Sequence, residues 1–164
     1  MVALLAVNIY GIKLTDGINS LKKFKGVAKR QDLLMDEERL LLIEDFAHHP
    51  TAIETTLKGI KKAYSNRKIY AAIELRSNTM KSGFHDDRLI NVCSLVDKVF
   101  WKSEDKDQAK KLVEALPDKS SQIINIENFI DEFKQINRKG DVLVVMSNGN
   151  FDNLSQLLMN EFKK

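Results

Sequence analysis

From Ile69 to Phe162 the sequence alternates short runs of β-branched and aromatic residues with segments whose apolar residues recur at helical spacing, and this alternation constrains the fold more than any other feature. Strands are expected at residues 69–75, 96–101, 122–126 and 141–146, and helices at 50–64, 86–94, 105–116, 127–137 and 153–162. Repeated strand–helix–strand units build a mostly parallel sheet with helices on both faces, because each parallel connection has to cross the sheet. Two further apolar runs, 31–35 and 39–45, flank the polar turn Asp36-Glu37-Glu38 and read as a β-hairpin. The class is α/β.

Ahead of the hairpin, Ala3, Leu4, Ala6, Val7 and Tyr10 recur at helical spacing before Gly11, and residues 14–24 give a second amphipathic helix. The first helix opens with no Ser, Thr, Asp or Asn to cap it, so the chain is expected to be part of a longer protein. Its apolar run is too short to span a bilayer and lacks a basic flank and a cleavage pattern, so a soluble protein without a membrane partner is expected.

With 164 residues, 43% of them hydrophobic, the chain can bury one ordinary core. Lys plus Arg exceed Asp plus Glu by only 26 to 23, which gives little attraction for nucleic acid. The basic stretch Lys22, Lys23, Lys25, Lys29 and Arg30 holds one aromatic, Phe24, and so lacks a series of platforms for stacking bases. One cysteine, Cys93, forms neither an internal disulfide nor a Cys-rich metal site and suits a reducing cytoplasmic setting.

In open α/β sheets, ligands bind beyond the carboxyl ends of the strands. Residues 44–51, 76–85 and 147–152 are the loops expected there. The first, Glu44-Asp45-Phe46-Ala47-His48-His49-Pro50-Thr51, sets two carboxylates and two imidazoles before a helix whose first turn holds Pro50, so free backbone N–H groups face an anion there while Asp45 accepts from hydroxyls. A helix cap is the plainer role for His48 and His49; a metal site needs another ligand, and none lies at a recognisable spacing. In the second loop, Arg76 presents a guanidinium suited to a carboxylate, the alternative being a salt bridge to Glu74 or Asp45. In the third, Ser147-Asn148-Gly149, the glycine lets the backbone approach a ligand closely. No phosphate loop, dinucleotide turn, nucleophile elbow or zinc spacing occurs, so a complete ATP-using site is not expected within these residues.

Three segments together resemble the Mur ligases, and within that family the murein tripeptide ligases: Phe24-Lys25-Gly26-Val27-Ala28-Lys29-Arg30; Asp45-Phe46-Ala47-His48-His49-Pro50-Thr51-Ala52-Ile53; and Arg76-Ser77-Asn78-Thr79-Met80 with Met146-Ser147-Asn148-Gly149. The resemblance covers nearly the whole chain. It implies a Rossmann-like C-terminal ligase domain over residues 26–164, preceded by a helical remnant of the central ATPase domain over residues 1–25. It also implies ATP and Mg2+ as cofactors, with the Mg2+ ligands in a central domain outside this chain. UDP-N-acetylmuramate and the tripeptide L-alanyl-γ-D-glutamyl-meso-diaminopimelate would be the other substrates. The partners are the N-terminal and central domains of the same protein.

Carried over residue by residue, the resemblance gives Arg30 and Asp45 nucleotide contacts, the latter to the ribose hydroxyls. His48 faces the reaction centre, and His49, Arg76, Ser147, Asn148 and Gly149 fall with the peptide substrate. None acts as a catalyst alone, and His48 is the catalytic candidate. The sequence departs from the family pattern in Glu44-Asp45 for Asp-Asp, Lys29-Arg30 for Arg-Arg, and Asn150, Asp152 and Asn153 in a loop that is otherwise glycine-rich. Two other classes compete: a stand-alone nucleotide- or anion-binding regulatory module, and a small metal-dependent hydrolase using Asp45, His48 and His49.

Overall fold

The computed structural model describes residues 2–23, 27–83 and 85–163. The expected domain boundary at residues 25 and 26, and Phe24, Lys25 and Gly26 of the first motif, lie outside them. Helices α1 (Val2–Ile9) and α2 (Leu14–Lys22) come first. They approach closely at Gly17, where a Cβ would stand 2.9 Å from Leu4 Cδ2.

The hairpin strands β1 (Asp32–Asp36) and β2 (Leu41–Asp45) pair antiparallel, with a register shift between Leu33 and Met35. Then follow α3 (Pro50–Ala63), β3 (Ile69–Leu75), a short α4 (Asn78–Lys81), α5 (Asp86–Cys93), β4 (Lys98–Ser103) and α6 (Lys106–Ala115). The chain finishes with β5 (Ser120–Gln122), α7 (Ile126–Ile136), β6 (Val142–Met146), a turn at Phe151–Asn153 and α8 (Leu154–Phe162). The strands form one sheet in the order β1-β2-β6-β3-β4-β5, parallel except for β1. The hairpin is part of the sheet, with β2 running parallel beside β6.

Both faces of β3 are covered, which is why its sequence is apolar throughout instead of alternating. Ile69, Ala71, Ile73 and Leu75 point to one face, with Ile53, Leu57, Leu89, Val92 and Leu112 of the helices. Tyr70 and Ala72 point to the other, with Phe129, Phe133, Leu158 and Phe162. Trp101, the only tryptophan, is wholly buried on the first face, and its indole N–H has no partner among the described residues.

Helix starts follow local chemistry. His49 caps α3 with Pro50 in its first turn, Asp105 accepts from the N–H groups of Asp107 and Gln108, and Asn125 accepts from that of Asn128.

Two expected strands are displaced. The run 122–126 is not a strand: the strand lies at Ser120–Gln122, against Val99 to Trp101. Asn125 captures the next helix instead, so Ile123 and Ile126 enter the core at its start while Ile124 is left exposed. The strand expected at 96–101 begins two residues later, because Asp97 turns the chain in, giving its N–H to the Ile69 carbonyl and accepting the Ile69 N–H on its carboxylate. Helix α4 lies inside the expected loop 76–85.

Candidate functional site

All three expected loops lie at the carboxyl ends of neighbouring strands β2, β6 and β3. Beyond β2, Asp45 is buried, and both carboxylate oxygens accept protein hydrogen bonds: Oδ2 from Gln31 N at 2.8 Å, Oδ1 from Ala47 N at 2.8 Å and Thr56 Oγ1 at 3.3 Å. Asp45 therefore pins the 27–31 turn, the loop before α3 and α3 itself together. The turn holds two non-glycine residues at left-handed φ, Lys29 at 57° and Gln31 at 49°, on either side of Arg30. Phe46 N donates to the Lys29 carbonyl at 2.7 Å, and the Arg30 guanidinium lies 5.6 Å over the Phe46 ring.

Arg30, Gln31, Asp45, His49, Thr51, Thr55 and Thr56 line an open cleft of about 550 Å3. His49 Nδ1 accepts from Thr51 N at 3.4 Å, and its ring meets His85 edge-on at 4.8 Å between centroids. Burial, then the charges of His85, Arg88 and His48, hold the His49 imidazole below its ordinary pKa, which keeps Nδ1 free to accept. His48 is not part of the lining. Its Nδ1 lies 2.9 Å from the Phe46 carbonyl, which only accepts, so Nδ1 is the donor in that bond.

A second rim forms beyond β3 and β6. Ser147 Oγ donates to Glu74 Oε2 at 2.5 Å and accepts from Gly149 N at 2.8 Å. Glu74 is thereby occupied by Ser147, and Asp45 by Gln31, Ala47 and Thr56, so neither alternative partner reaches Arg76. Among the described residues no carboxylate pairs with the exposed Arg76 guanidinium. The arginine lies instead across Gly149, where a Cβ would stand 2.5 Å from its Nη1. Beside it, Asn148 Oδ1 is buried without a partner among the described residues.

Four groups that sequence reasoning missed complete the arrangement. Lys29 Nζ donates to the Gly149 carbonyl at 2.7 Å and stands 4.0 Å from Glu44 Oε1, which accepts from Ser155 Oγ at 2.9 Å. Thr56 reaches Asp45 from the second turn of α3. Lys102, just past the expected end of its strand, pairs with Asp152 and lies over Phe151; burial lowers its pKa. Glu104 pairs with Lys81 at 2.5 Å. A strand-end lysine is a signal the sequence offered, whereas the Lys29–Gly149 contact spans 120 residues and left none.

Phe151, Asp152 and Asn153 adopt left-handed φ of 47°, 49° and 59° in succession. Glycine takes that conformation freely, and Asn and Asp are its best substitutes. Asp152 and Asn153 thus hold a conformation that glycine takes freely. Among the described residues no group of three His, Cys, Asp or Glu is placed to hold a metal ion, so the hydrolase reading finds no ligand set there. No helix of the described residues is long and apolar enough to cross a membrane.

Comparison with known proteins gives the same frame. The model of the family described as "Mur ligase, glutamate ligase domain" matches residues 29–149. The UDP-N-acetylmuramate–L-alanyl-γ-D-glutamyl-meso-2,6-diaminoheptandioate ligase of Escherichia coli is 30% identical over 100% of this chain and 36% of its own length. A murein peptide ligase of Psychrobacter arcticus superposes with a TM-score of 0.73 at 34% identity, over 96% of this chain and 35% of that one. The UDP-N-acetylmuramate–alanine ligase of Thermotoga maritima shares the fold, with a TM-score of 0.79 at 17% identity, over 98% of this chain and 36% of that one. The chain thus spans about a third of the length of these relatives. It belongs to the Mur ligase family, as that family's C-terminal, glutamate ligase domain.

Proposed function

We propose that this chain is the domain of an ATP-dependent ligase that joins L-alanyl-γ-D-glutamyl-meso-diaminopimelate to UDP-N-acetylmuramate, returning recovered wall peptide to peptidoglycan synthesis in the cytoplasm. Relatives whose names carry that substrate pair match the chain from end to end, which favours this reading over a regulatory module. The observation that carries it is the Arg76 guanidinium, exposed at a strand end with no carboxylate partner among the described residues, as a site for a peptide carboxylate requires.

In this reading residues 1–25 belong with the central domain and residues 26–164 form the C-terminal domain. Arg30 and Asp45 contact the nucleotide in the cleft before α3, whose N-terminal N–H groups favour anions. His48, His49, Arg76, Ser147, Asn148 and Gly149 are the residues assigned to the peptide substrate. In such a ligase the γ-phosphoryl group of ATP passes to the lactyl carboxylate, and Mg2+ bound by the central domain would supply neutralisation of the phosphate charge. The peptide amine then attacks the acyl phosphate carbon, its proton leaves, and the C–O bond to phosphate breaks. This domain's residues contribute orientation and charge placement, with His48 as the catalytic candidate.

The reading is tested by amide NMR of the chain titrated with tripeptide, then with ATP and Mg2+. Expected are tripeptide shifts at residues 76–80 and 147–150, and nucleotide shifts at 45–56. Shifts scattered over the surface with either ligand would count against it, as would ligation by the full-length protein that is indifferent to Arg76→Ala.

A further inference from the structure

The 27–31 turn faces two ways. Arg30 directs its guanidinium over Phe46 into the nucleotide cleft, while Lys29, next to it, reaches out of the turn to the Gly149 carbonyl. The two side chains do not move independently. Both flank a left-handed kink closed by Phe46 N on the Lys29 carbonyl and by Gln31 N on the Asp45 carboxylate. A shift of Asp45 or Arg30 in the cleft therefore displaces the Lys29 backbone as well.

At its other end, Lys29 Nζ makes a charge-assisted bond to the residue on which Arg76 rests. Gly149 leaves no slack there: its N–H is held by Ser147 Oγ, itself bonded to Glu74, and its Cα lies under the Arg76 guanidinium. Glu44, 4.0 Å from Nζ and held by Ser155, keeps the ammonium in place.

We propose that Lys29 is a positioning residue that couples the nucleotide cleft to the peptide rim, so that occupancy of the cleft resets Gly149 and with it the Arg76 guanidinium. The proposal rests on the assignment of the two sites under the proposed function. Lys29 touches no reacting atom in this role; it fixes where the peptide's carboxylate partner stands once nucleotide is bound, and linkage makes the effect reciprocal.

The test is amide NMR of the isotopically labelled chain as wild type, Lys29→Met and Lys29→Arg, each titrated with ADP and Mg2+. In the wild type, shifts at residues 45–56 are expected to be accompanied by shifts of Gly149 and Asn150. Lys29→Met keeps the first set and loses the second, and Lys29→Arg, which retains a cation of similar reach, keeps both. A full Gly149–Asn150 response in Lys29→Met overturns the proposal, as do wild-type cleft shifts with none at Gly149 and Asn150. If the nucleotide moves nothing in the cleft, the nucleotide assignment fails by itself and the ligand-free spectra decide the coupling. Lys29→Met must then shift the Asn150 amide, which shares a peptide group with the Gly149 carbonyl, and the Arg76 side-chain N–H; changes confined to residues 27–31 and 44–46 overturn it.

Discussion

The Arg76 side chain fills the space that a Cβ on Gly149 would need, its Nη1 only 2.5 Å and its Cζ 3.0 Å from that position. Gly149→Ala is therefore expected to push the guanidinium off the rim. Because the colliding group ends a flexible side chain, stability should change by no more than about 1 kcal/mol, while tripeptide-induced shifts at residues 76–80 disappear. Urea denaturation beside the NMR titration checks both parts; an unchanged tripeptide response would show that Arg76 does not need its seat on Gly149.

Asp45 carries a structural burden in addition to its proposed nucleotide contact. Asp45→Ala strands the N–H groups of Gln31 and Ala47 and the Thr56 hydroxyl, with an expected loss of about 2–4 kcal/mol, since orphaned buried donors cost about 1–3 kcal/mol each and part of the site rehydrates. Thr56→Val removes one weak donor and should cost under about 1 kcal/mol. Chemical denaturation of the two variants against wild type checks the order.

His49 sets a pH dependence whose sign is fixed by the direction of its shift. Its pKa in the folded chain lies below the unfolded value, so the folded state binds this proton less readily. The contribution to stability is complete above the unfolded pKa of about 6.5 and is lost as pH falls through the lower folded value. Wild type should lose more stability than His49→Gln between pH 7.5 and the acid side of that window, read as the difference in urea midpoint. An imidazole titration should place the His49 midpoint below the ordinary histidine value.

The left-handed turn at residues 151–153 gives a prediction that separates conformation from contact. Asn153→Ala places a Cβ residue that disfavours φ of 59° and is expected to cost about 1 kcal/mol, whereas Asn153→Gly should be neutral or stabilising. Thermal denaturation of the pair distinguishes this from loss of a side-chain bond, which would make both variants equally unstable.

Where short-range chemistry decides, the sequence was informative. Pro50 after His49 marked the start of α3, and the unbroken apolar run from Ile69 to Leu75 marked a strand covered on both faces. Two isoleucines around residue 123 misled, because β propensity competes there with the Asn125 cap, and the cap acts on the adjacent N–H groups at little entropic cost. The loops holding Asp45, Arg76 and Gly149 were legible as strand ends. What Asp45 and Glu74 bond to was not, since Gln31 and Ser147 reach them only after β2, β3 and β6 have aligned. Lys29 was visible as a departure from an arginine pair, yet its hold on Gly149 exists only in three dimensions.

Trp101, sealed inside the sheet with no partner for its indole N–H among the described residues, also makes the chain its own reporter. A single fluorophore in so dry a setting emits toward the blue end of its range, and red-shifts only when β3 and β4 part and water enters. An optical trace from this one residue therefore follows the sheet around it, while far-ultraviolet circular dichroism follows all helices together, and a gap between the two traces would show helices that melt apart from the sheet.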